Sequence, residues 1–171
     1  MPVSAADVKT VRDRTGAGFA DCRNMLEKLG GNVEKAVEEL RQKGIAKGMA
    51  LADKKAGAKA SQGIVDSYIH AGGRIGVLLE LNCETDFVAR TEEFHALAHN
   101  LAMQVAAMSP RYIGTDDLPE KPEGALAEIS LMHQAFIRDP SKTIKDLVAE
   151  AIGKLGESIR VRRFSRYELG G

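Results

Sequence analysis

The chain has no tryptophan, and only 5% of its 171 residues are aromatic. Surfaces that bind single-stranded nucleic acid interleave cations with aromatic rings for base stacking, and no such interleaving occurs here. An excess of one charge is also missing: 24 Lys and Arg balance 24 Asp and Glu. That balance argues against bulk attraction to nucleic acid or to a membrane surface. No apolar run approaches the length of about 18 residues that would suggest a membrane span. Met1-Pro2-Val3 does not begin a signal peptide. Cysteine is sparse as well. Cys22 falls in an amphipathic stretch and Cys83 at a strand end, and both read as small buried hydrophobes. The expected location is the cytoplasm, with reduced thiols.

Signatures of covalent chemistry are equally scarce. His95 and His99 lie at i, i+4, a spacing that can chelate zinc, but Ala96 stands where a metalloprotease carries its glutamate. The apolar stripe of that segment runs through Ala98, so both histidines are expected on the solvated face, and no metal is expected. Gly72-Gly73-Arg74-Ile75-Gly76 is glycine-rich, but it joins strand to strand. A phosphate cradle needs a helix N-terminus behind it. No Walker sequence is present, so neither a cofactor nor direct nucleotide binding is expected.

Hydrophobic residues make up 44% of the chain, enough for one sizeable core and a small module. Val8 and Val11 mark a first short helix, and Cys22, Met25, Leu26 and Leu29 a second. Gly30-Gly31 ends the second helix. Asn32 caps a third, with Val33, Ala36, Val37 and Leu40 on one face and Gly44 as its end. The Gly31 to Val37 run resembles a ubiquitin-associated-type three-helix module. From Gly63 the period changes. Ile64 to Ile69 and Ile75 to Asn82 read as two strands around the turn Ala71 to Arg74. A helix follows through Phe94, Leu97, Leu101 and Val105, and another is expected over 124–137. Thr143 to Asp146 fits a capping box. The next stripe runs from Ile144 to Leu155, Gly156 closes it, and Ile159 and Val161 lie in a last strand. The expected class is α+β, with a small antiparallel sheet and flanking helices. The expected division is a three-helix docking module at 1–45, a partly helical linker at 46–62, and an α+β core at 63–171.

Two segments stand out. At Leu81 to Arg90 a strand stops at Glu84-Thr85-Asp86 and a helical pattern begins near Thr91. Phe87 is then either a hydrophobic staple behind a capping Thr85 or Asp86, or a ring presented on a rigid turn for function. In Arg14-Thr15-Gly16-Ala17-Gly18-Phe19-Ala20-Asp21-Cys22, Phe19 is either a core residue or part of an exposed docking loop.

Val8 to Cys22, Gly31 to Leu40, Leu79 to Arg90, Phe136 to Asp146 and Leu155 to Arg163 together resemble, in order, the bacterial elongation factor Ts family. The chain departs from the commoner family pattern at Phe19-Ala20, where many members carry two methionines, and at Ala135, where many carry proline. The resemblance implies a guanine-nucleotide exchange factor for elongation factor Tu that does no covalent chemistry. It implies that Thr85, Asp86, Phe87 and Val88 intrude beside the GTPase nucleotide site and dislodge Mg²⁺. It also implies docking through Val11, Phe19 and Ala20, and a contact toward the phosphate-binding loop at Leu155 and Gly156. Long-form members carry two core subdomains and a coiled-coil insert, and this chain has room for one core. A homodimer is therefore expected, because a second copy can cover the open sheet. Ile159, Val161 and Phe164 are the expected interface residues, with Ile64 and Ile69 as further candidates. The competing expectation is a ribosome- or RNA-associated adaptor without effect on nucleotide release.

Overall fold

Ser4 accepts the Asp7 amide hydrogen and opens α1, Ala5–Thr15. In the computed structural model, residues 3–171 are described; Met1 and Pro2, part of the stretch judged not to begin a signal peptide, lie outside them. Gly16 ends α1 in the left-handed conformation, and α2 follows at Phe19–Lys28. Asn32 then caps α3, Val33–Lys54, by accepting the Lys35 amide hydrogen at 3.0 Å. Val8, Val11, Cys22, Met25, Leu26, Ala36, Val37 and Leu40 form a separate buried cluster among these helices.

The third helix does not end at Gly44. It runs to Lys54, so most of the expected 46–62 linker is one continuous helix with the docking module. The reason is tertiary. α3 lies against α7, Ile144–Leu155. A Cβ at Gly48 would overlap the Ala149 carbonyl oxygen, and a Cβ at Gly153 would sit 2.6 Å from the Gly44 carbonyl oxygen. The two helices therefore meet backbone to backbone. Packing of this kind outweighs the helix-breaking propensity of glycine.

β1, Gln62–Ile69, and β2, Ile75–Cys83, form the expected antiparallel hairpin, and β5, Arg160–Glu168, pairs with the other edge of β2. α4, Asp86–Ala89, and α5, Glu92–Met108, follow β2. Val77, Leu79, Leu81 and Cys83 point inward onto Phe94, Leu97, Ala98 and Leu101 of α5 and onto Ile144, Val148 and Ile152 of α7. Thr143 and Asp146 form the expected capping box at the start of α7.

The helix expected over 124–137 is a short α6, Leu126–Ile129, then the two-stranded pair β3, Ala135–Phe136, and β4, Asp139–Thr143. The buried Gln104 side chain holds this segment extended. It donates to the Ala135 carbonyl at 3.1 Å and accepts the Ile137 amide hydrogen at 3.0 Å. A side-chain amide thus satisfies backbone groups that a helix would have paired internally.

Among the described residues, no helix covers the face of the sheet on which Val65, Ile69, Leu78 and Tyr167 are exposed. The interface residues expected from the sequence mostly face the other way. Ile159 is buried in the core, and Ile64, Val161 and Phe164 pack against it; only Ile69 lies on the open face. Val161 and Phe164 share the inner face because a bulge shifts the β2–β5 register between Glu80 and Leu81.

Candidate functional site

β2 stops at Cys83, and the chain reverses within a few residues. Thr85 caps α4 by accepting the Val88 amide hydrogen at 3.4 Å, and Thr91 caps α5 by accepting that of Phe94 at 3.3 Å. Two closely spaced caps, each contributing about 1 kcal/mol, fix how this turn is phased. Val88 and Ala89 turn inward to the core, which leaves Phe87 pointing outward with 83% of its surface exposed. The ring is therefore not a staple. A large apolar side chain held this far into solvent on a capped turn suits contact with another surface. Asp86 beside it is exposed and ion-paired to Arg90 at 2.9 Å.

The base of the turn is tied to the segment after α7. Glu157 accepts the amide hydrogens of Glu84 at 3.1 Å and Thr85 at 3.0 Å, and the Thr85 hydroxyl hydrogen at 2.5 Å. Glu84 in turn accepts the Ser158 amide hydrogen at 2.6 Å and a Lys55 ammonium hydrogen at 2.8 Å. Lys55 also donates to the Gly156 carbonyl at 3.1 Å. The bond from Lys55, reinforced by the Ser158 amide, holds the Glu84 carboxyl below the usual glutamate range. Thr85 to Val88 and Leu155-Gly156 are thereby brought together into one surface. Leu155 is half-buried and Gly156 exposed, the latter in the left-handed conformation that closes α7. Sequence reasoning missed Glu157 and Lys55, and treated Glu84 only as part of a strand exit.

The docking residues are split. Phe19 is 56% exposed and Ala20 is exposed at the start of α2. Val11 is fully buried in the module core. Its side chain has no access to a partner, so it supports the loop instead. That loop is braced by Thr15, whose hydroxyl donates to the Val11 carbonyl at 2.7 Å and accepts the Ala17 amide hydrogen at 3.2 Å. Arg41, Lys43 and Lys47 line a cleft between the module and α7 with Lys28 and Lys154, where the carboxylates are those of Asp21 and Glu150.

Burial raises the Cys22 and Cys83 thiols above the usual cysteine range, which keeps them protonated. His95 and His99 are both exposed, and His99 lies 3.6 Å from the Asp66 carboxylate. No helix among the described residues is long and apolar enough to cross a membrane.

Comparison with known proteins gives a consistent result. The family model described as elongation factor TS matches residues 8–123. The elongation factor Ts of Moorella thermoacetica is 48% identical, with 98% of this chain and 96% of the relative covered. That of Thermotoga neapolitana is 48% identical over 99% of this chain and 98% of the relative. That of Coprothermobacter proteolyticus is 46% identical over 99% of this chain and 100% of the relative. The alignment to the first spans 198 positions, more than the 171 residues here, so the relatives carry insertions that this chain lacks. With a matching family model over most of its length and close to half its residues identical to such relatives, the chain belongs to the elongation factor Ts family.

Proposed function

We propose that this protein accelerates GDP release from elongation factor Tu, with Phe87 as the intruding group. The exposed ring of Phe87 on its doubly capped turn carries this reading. Exchange of this kind needs no covalent chemistry. The factor must prefer the GTPase conformation in which phosphate, Mg²⁺ and loop contacts are already damaged. By reciprocity, GDP then weakens factor binding by the same ratio. A ten-thousandfold ratio needs about 5.5 kcal/mol of differential binding. One aromatic ring supplies about 1.5 to 3 kcal/mol, so several contacts must act together. Phe87 is the wedge, Asp86 perturbs the elements that hold the ion, and Val88 anchors the turn from beneath. Leu155-Gly156 approaches the phosphate-binding loop. Phe19 and Ala20 dock the N-terminal module.

Stopped-flow release of labelled GDP from elongation factor Tu tests this directly. A large acceleration is expected; binding without acceleration would instead identify an adaptor. Phe19→Ala is expected to raise the half-saturating factor concentration by about tenfold or more, the loss of about 1.5 kcal/mol of burial. The maximal rate should stay near that of the wild type, because the docking loop binds both nucleotide states alike. An unchanged half-saturation would remove Phe19 from the docking surface.

We also propose that the protein is a homodimer through the open face of its sheet. Val65, Ile69, Leu78 and Tyr167 present the same apolar patch on every copy, as a two-fold interface requires. Light scattering should give a mass near twice 18.4 kDa. Leu78→Lys should shift it toward the single-chain value, and a wild-type mass already at that value would rule the dimer out.

A further inference from the structure

We propose that Glu157 is a positioning residue for the wedge, so that the Thr85 to Val88 turn and the Leu155-Gly156 segment meet a partner as one rigid surface. The inference rests on the exchange reading above. It starts from the backbone donors of residues 84 and 85. β2 ends at Cys83 and α4 begins at Asp86, so these two amides lie between elements. Left to water, they would allow the turn many orientations.

One carboxylate removes that freedom. Glu157 takes both amide hydrogens on a single oxygen and the Thr85 hydroxyl hydrogen on the other. The hydroxyl, its proton committed to Glu157, is left to accept from Val88 and cap α4. Glu84 reciprocates by accepting the Ser158 amide hydrogen. Two neighbouring pairs, 84–85 and 157–158, therefore exchange carboxylates across the gap. Lys55 closes the clasp by donating to both Glu84 and the Gly156 carbonyl. Charge-assisted bonds of this type are the stronger class. Glu84 and Glu157 are half-buried, and the two bonds from Thr85 to Glu157 lie on the exposed side of the clasp. Its geometric consequence falls on the direction of Phe87.

Such a group acts on the step in which the wedge is used, and not on encounter, which depends on Phe19 and Ala20. The test is GDP release at a series of factor concentrations for the wild type, Glu157→Ala, Glu157→Gln, Phe87→Ala and the Glu157→Ala/Phe87→Ala pair. Amide hydrogen exchange of Glu84 and Thr85 is read in the free protein. Glu157→Ala is expected to lower the maximal rate about tenfold, the scale of a small misplacement of a working group. Its half-saturating concentration should move less than about threefold. Glu157→Gln retains a carbonyl oxygen for the two amides and should recover most of the rate. In the Phe87→Ala background, Glu157→Ala should cost less than about threefold more, because most of what it removes is the placement of the missing ring. The amides of residues 84 and 85 should exchange faster in Glu157→Ala.

Full activity in Glu157→Ala overturns the proposal. So does a loss that multiplies with that of Phe87→Ala, which would mean that Glu157 touches the partner by itself. Global unfolding of Glu157→Ala would make its role structural and also overturn it. A wild-type protein that leaves GDP release unchanged strikes the exchange reading instead. Unchanged protection of the two amides would then still refute the clasp.

Discussion

Phe87→Ala is expected to cut the maximal rate of factor-stimulated GDP release by at least about tenfold while leaving the fold intact. The ring is 83% exposed and so contributes little to the free protein. A thermal melt should differ from the wild type by no more than about 0.5 kcal/mol. Against a partner, the same ring can bury its full surface, worth about 1.5 to 3 kcal/mol. If that burial occurs only when the nucleotide contacts are broken, the rate falls by about tenfold for each 1.4 kcal/mol lost. The half-saturating concentration should change far less, because docking is carried elsewhere. A variant that melts several kcal/mol early would show that the ring is core, and the wedge would have to be abandoned.

Two glycine-to-alanine changes four residues apart on α3 are expected to have opposite signs. A methyl group at Gly48 overlaps the carbonyl oxygen of Ala149, which belongs to backbone and cannot rotate away. Overpacking against a rigid neighbour costs about 1 to 3 kcal/mol and outweighs the gain of about 1 kcal/mol in helix propensity. Gly48→Ala should therefore lower the melting temperature and loosen the N-terminal module from the core. At Gly44 an added Cβ meets nothing within 4 Å. Gly44→Ala should accordingly stabilise the helix by about 0.5 to 1 kcal/mol. Differential scanning calorimetry of the two variants decides it. A Gly48→Ala protein that melts at or above the wild-type temperature would mean that α3 and α7 do not meet in this way.

Features governed by near neighbours were legible in the sequence. The caps at Asn32, Thr85 and Thr143, the turn at Gly72-Gly73 and the left-handed stop at Gly156 all depend on residues within one helical turn. The hairpin and the late third strand followed from period-two alternation. Features set by distant partners were not legible. Gly44 looked like a helix end because nothing local reveals α7 on its far side. Residues 124–137 looked helical because Gln104, the side chain that holds 135–137 extended, lies on α5. Val161 and Phe164 were assigned outward because a bulge leaves no local mark in a β-strand pattern. Within the candidate site, Thr85 to Val88 could be found from the strand-to-helix switch. Val11, which the resemblance implies for docking, is buried in the module core, a difference that an apolar helix position does not reveal by itself. The Glu157 clasp joins residues more than seventy positions apart, beyond the reach of any spacing rule.

The unbroken course of α3 also bears on how a partner is captured. Phe19 sits on the module that α3 completes, and Lys55 at the C-terminal end of α3 holds Glu84 at the base of the Thr85 to Val88 turn. Gly16 to Gly18 of the docking loop line one cleft with Gly44 and Lys47 of α3, so the continuous helix from there to Lys55 sets the spacing of the two contact regions, without the slack of a flexible linker. Once one end has engaged, arrival of the other becomes an intramolecular event with a high effective concentration. That advantage exists only for a partner whose two receiving surfaces are set at the matching span. A GTPase with the same individual contacts at a different separation would gain no avidity and would be passed over.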